Sequence, residues 1–114
     1  MVARRAPLLA MLLLLCSVVA RAEVFVTSIP DGGLQPRLVT AADGGVHLLY
    51  FKKRLSAPSA REGNLYYREY LREERRFGLP IKVSSTAFNL QTFAIARASM
   101  AIDGEGRAHV IWYL

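Results

Sequence analysis

The sequence has 114 residues, a single Cys and a formal charge of +6, with 53% hydrophobic against 21% charged residues. Such hydrophobicity excludes a disordered chain, and one Cys excludes a framework of intrachain disulfides. The net charge overstates the basic character: Arg4, Arg5 and Arg21 fall in the first 22 residues, so the remainder carries +3. Between Lys52 and Arg76 the cations are interleaved with Glu62, Glu69, Glu73 and Glu74, the pattern of a solvated face, and no nucleic-acid partner is expected.

Residues 1–22 read as a signal peptide. Arg4 and Arg5 precede an apolar run from Pro7 to Leu15, and Ala20-Arg21-Ala22 is a small-x-small cleavage site. The mature chain is expected to begin at Glu23, outside the cytoplasm, in the periplasm or the medium. The apolar run is shorter than the ~18 residues that a spanning helix needs, so no stable membrane insertion is expected after signal removal. Lipid attachment at Cys16 is disfavoured, because Leu15 stands where Gly, Ala or Ser is wanted.

From residue 23 onward, short apolar or β-rich runs alternate with Gly, Pro, Asp and Ser at about ten-residue spacing, with no sustained helical period. The strands predicted are 37–41, 46–52, 64–71, 80–84, 97–102 and 107–113. Asp43-Gly44-Gly45 and Asp103-Gly104-Glu105-Gly106 supply tight reversals, since Gly tolerates the positive φ that such turns require. These two turns belong to a repeat. Residues 35–51 and 96–113 each run through an Arg, an apolar stretch, Asp-Gly and then His within a second apolar stretch. The Asp residues lie 60 positions apart and the His residues 62, a difference ascribed to a longer second turn.

Four strands thus precede the return of the pattern, which predicts an all-β fold of β-propeller type. About one and a half blades fall within the sequence, and the apolar run 110–114 would leave an uncovered edge, as in the opening piece of a longer propeller domain spanning 23–114 and beyond. Val46 to Phe51 is apolar on both faces, as a strand packed between two neighbouring sheets would be. A β-sandwich is the competing fold, but it does not call for the recurrence of Arg, Asp-Gly and His in one order.

Asn64-Leu65-Tyr66-Tyr67-Arg68, followed by a charged turn and Phe77-Gly78-Leu79-Pro80-Ile81-Lys82-Val83, resembles a stretch of bacterial neuraminidase-like proteins with BNR, or Asp-box, repeats. The Asp-box pattern S-x-D-x-G-x-T-W falls on Tyr70, Arg72, Glu74, Arg76 and Phe77, of which only the final aromatic matches. The resemblance implies a six-bladed propeller in which this turn is a structural staple, with Phe77 plugging the sheet edge. Sialidases of the family hold the substrate carboxylate with three arginines and carry a Tyr-Glu nucleophile pair and an Asp acid/base. Their first-arginine motif is not met here: Leu34 and Ser28 occupy the corresponding places.

Arg37 and Arg97 are the candidate ligand-binding residues. Each precedes its Asp by six positions, so the two are expected at equivalent places on neighbouring blades, where guanidinium forks could clasp a carboxylate or sulfate; structural ion pairing is the alternative. His47 and His109 have no second ligand at metal spacing and read as structural. Tyr66, Tyr67, Tyr70 and Trp112 offer a sugar-stacking surface or packing between blades. No cofactor, metal site or catalytic residue is assigned. The expected role is recognition of a glycan or small anionic ligand; the alternatives are an exo-α-sialidase or other glycoside hydrolase, with its acid and nucleophile in further blades, and a protein-interaction scaffold.

Overall fold

The computed structural model describes residues 22–54, 61–89 and 98–113; the predicted signal segment lies outside them, except for Ala22. The described residues are all-β and antiparallel. A short 3₁₀ turn, Pro30–Gly32, precedes strands β1 (Leu34–Thr40), β2 (Val46–Lys53) and β3 (Glu62–Leu71). The short strands β4 (Arg76–Phe77), β5 (Ile81–Lys82) and β6 (Phe88–Asn89) follow, and then β7 (Ser99–Ile102) and β8 (Ala108–Ile111).

The first sheet is a meander in the order β1-β2-β3, and β4, β5 and β6 all pair with the far side of β3. Tyr70 faces Phe77, Tyr67 faces Ile81 and Gly63 faces Phe88, so the three short strands form one interrupted fourth lane. The predicted strand 80–84 is the middle of that lane. Its interruptions have local causes. Pro80 has no N–H to give a ladder, and at Ser84 a side chain takes over the main-chain role. Ser84 Oγ accepts from the Leu65 amide at 3.0 Å and donates to Asn64 Oδ1 at 2.9 Å. A broken outer lane also blunts the sheet edge.

β7 and β8 form a separate two-stranded sheet. Its turn and that between β1 and β2 have the same length and bonding, so the longer second turn expected from the Asp spacing is not found. The Ala41 amide bonds to the Gly45 carbonyl and the Gly44 amide to the Ala41 carbonyl; the Asp103 amide bonds to the Arg107 carbonyl and the Gly106 amide to the Asp103 carbonyl. Gly44 and Gly106 take the left-handed place, with φ of 82° and 79°, as a type I turn with a glycine bulge demands. Residue 41 is thus equivalent to 103, 44 to 106 and His47 to His109. The repeat is 62 residues, and Asp43 and Asp103 sit at different points of the same turn. Each still caps it: Asp43 Oδ1 accepts from the Gly45 amide and Asp103 Oδ1 from the Glu105 amide.

The core lies between the two sheets. Leu49, Phe51 and Leu65 of the first sheet, Phe88 of its outer lane and Met100 of the second are buried together, each worth about 1.5–3 kcal/mol on transfer from water. Around them pack Val39, Tyr67, Val83, Ile102, Val110 and Trp112. Strand alternation shows which faces meet. The first sheet presents the face that carries Val39, Leu49, Phe51 and Tyr67. The second presents Met100, Ile102, Val110 and Trp112, whose equivalents 62 residues earlier are Leu38, Thr40, Leu48 and Tyr50, on the opposite face of the first sheet. The two repeats therefore pack through unlike faces, head to tail.

Candidate functional site

Arg37 pairs with Leu49 on β1, and its side chain is exposed. Ser99 pairs with Ile111 and is its equivalent under the 62-residue register. Arg97 lies outside the described residues. In the second repeat the place of Arg37 is thus held by Ser99 and not by an arginine, so the equal spacing from Asp does not make Arg37 and Arg97 repeat equivalents. The expected equivalence rested on counting back from Asp43 and Asp103, which occupy different turn positions.

The histidines occupy equivalent strand places in unlike surroundings. His47 is buried, with Nδ1 2.7 Å from the Tyr67 hydroxyl and its ring stacked on Tyr67 at 5.8 Å. Burial, with Glu69 nearby, raises the pKa of the Tyr67 phenol. His109 is exposed, and its Nε2 lies 2.8 Å from Asp103 Oδ2. The same carboxylate receives Arg107 Nε at 2.8 Å, and Arg107 also reaches Glu105 at 3.0 Å. His109 and then Arg107 hold the Asp103 carboxyl well below the usual carboxylate range. This surface cluster consumes its own charges, so it is a turn lock and not a ligand clamp.

The most elaborate polar arrangement joins Asp31, Tyr50 and Arg68, a set that the repeat pattern does not reveal. Tyr50 of β2 and Arg68 of β3 lie on one face, two register positions apart. The Pro30–Gly32 turn, with Asp31 at φ 60° and Gly32 at φ 63°, brings Asp31 over them. Arg68 Nη2 donates to Asp31 Oδ2 at 2.5 Å, Nε to the Tyr50 hydroxyl at 2.9 Å and Nη1 to the Gly78 carbonyl at 2.8 Å. The Tyr50 hydroxyl donates to the same Asp31 oxygen at 2.9 Å. The hydrogen bonds from Arg68, then from Tyr50, lower the Asp31 pKa, and burial raises that of Tyr50. This guanidinium donates within the fold from each of its three nitrogens, beside a phenol that itself donates to Asp31. It ties the segment before β1 to the sheet. A charged residue inside the aromatic run 64–70, on the face shared with Tyr50, was the available signal, since a half-buried Arg demands an acid.

Of the four aromatic residues proposed to stack on sugar, Tyr66 stacks on Tyr50 at 5.9 Å and Tyr70 meets Phe77 edge-on at 5.2 Å. Phe77 thereby fills the sheet end beside the turn between β3 and β4. Tyr67 and Trp112 come together across an open groove of about 420 Å³ between the two sheets, lined also by Ile81, Val83, Ala108 and Val110. The indole ring of Trp112 stacks on Phe88 at 6.2 Å, and its Nε1 is buried without a hydrogen-bond partner among the described residues.

Comparison of the chain with protein-family models, with curated proteins and with solved structures finds no match.

Proposed function

We propose that the chain forms exported blades of a neuraminidase-like, Asp-box-type β-propeller that recognises a glycan or small anionic ligand. The observation that carries this reading is the head-to-tail packing of two repeats through unlike faces. A pair that meets through like faces closes on itself, whereas one that meets through unlike faces can continue around an axis. The four-lane antiparallel meander and the aromatic plug at Phe77 support the same architecture. The exposed guanidinium of Arg37 on the first lane suits a carboxylate or sulfate.

Two measurements test it. Glycan-array binding by the full chain should favour sialylated or uronic-acid glycans over neutral ones, and Arg37→Ala should weaken that binding roughly ten- to a hundred-fold, with Arg97→Ala as the companion variant. Array-wide silence, or undiminished binding by both variants, rejects the ligand assignment. For export, mass spectrometry of secreted protein should give a chain starting at Glu23; a lipid-bearing chain starting at Cys16 would reject that processing.

A further inference from the structure

We draw no further inference here: the strongest candidate, the open surface groove between the β1–β2 and β3–β4 turns that is lined by Asp43, Glu69, Glu73 and Glu74, is an acidic cluster in which Asp43 already caps the Gly45 amide and Glu74 already pairs with Arg76, and nothing else among the described residues points to a ligand there.

Discussion

Gly63→Ala is expected to destabilise the fold by about 3 kcal/mol or more, a large share of the 5–15 kcal/mol that a domain of this size commands. Gly63 is buried in β3, opposite Lys53 and Phe88. A methyl group there would overlap the Lys52 carbonyl oxygen and lie 2.6 Å from the Phe51 ring. Neither neighbour can retreat cheaply. The carbonyl belongs to the β2 backbone, and Phe51 is fixed in the core against Phe88, with ring centres 5.6 Å apart. Denaturant unfolding of parent and variant, with Gly104→Ala as control, measures the effect. Nothing lies within 4 Å of a Cβ built on Gly104, so the control should change stability by no more than about 0.5 kcal/mol. Equal behaviour of the two variants would show that the backbones at Gly63 do not approach as described.

The strand order was legible because its signals are local. Short apolar or β-rich runs at 37–41 and 46–52, and glycine at the two left-handed turn positions, require no knowledge of what lies across the molecule. The exact repeat was harder to read. Two Asp-Gly pairs invite alignment by the Asp, yet the turn places the left-handed residue at Gly44 and Gly106, and it is those glycines and the histidines that keep one spacing. A side-chain cap can be supplied from either of two turn positions, so Asp is a poor ruler. The φ requirement is met by glycine almost alone, so glycine is a good one. The same distinction decides the arginine pair: counting from the glycines, Arg37 corresponds to Ser99.

The fourth lane and the polar clamp were less visible for different reasons. β4, β5 and β6 are two residues each, too short for a period to show, and their pairing depends on β3 being present. The Asp31–Tyr50–Arg68 group joins residues 18 to 37 positions apart, across a turn whose direction the chain does not announce. The alternation that identifies a strand leaves open which of its faces another segment will cover. That also explains why His47 and His109, equivalent in register, differ in burial: the face bearing His47 is covered by the second sheet, while the face bearing His109 is open.

Cutting the clamp should have the second large effect, and it carries its own pH signature. Arg68→Met keeps much of the aliphatic stem but removes three hydrogen bonds, those to Asp31, Tyr50 and the Gly78 carbonyl. Only 12% of the Arg68 side chain is exposed, against 33% for Asp31, and Tyr50 is fully buried, so water can re-solvate the acid but not the phenol. About 3 kcal/mol is expected, or on the order of 15 °C in Tm. Asp31→Asn is the milder cut, about 1–2 kcal/mol at neutral pH, reduced because the carboxylate is partly open to solvent. The folded pKa of Asp31 lies below its ordinary value of 3.8, chiefly through Arg68. A depressed carboxylate contributes its stability above the unfolded pKa and loses it as pH falls through the folded one. The stability difference between parent and Asp31→Asn should accordingly be constant from neutral pH down to about 5 and shrink steadily below about 4. Asp103 shifts in the same direction and remains intact in both proteins, so its contribution cancels in the difference. A difference that persisted unchanged to pH 2, or grew there, would mean that the Asp31 charge does not hold Arg68 in place.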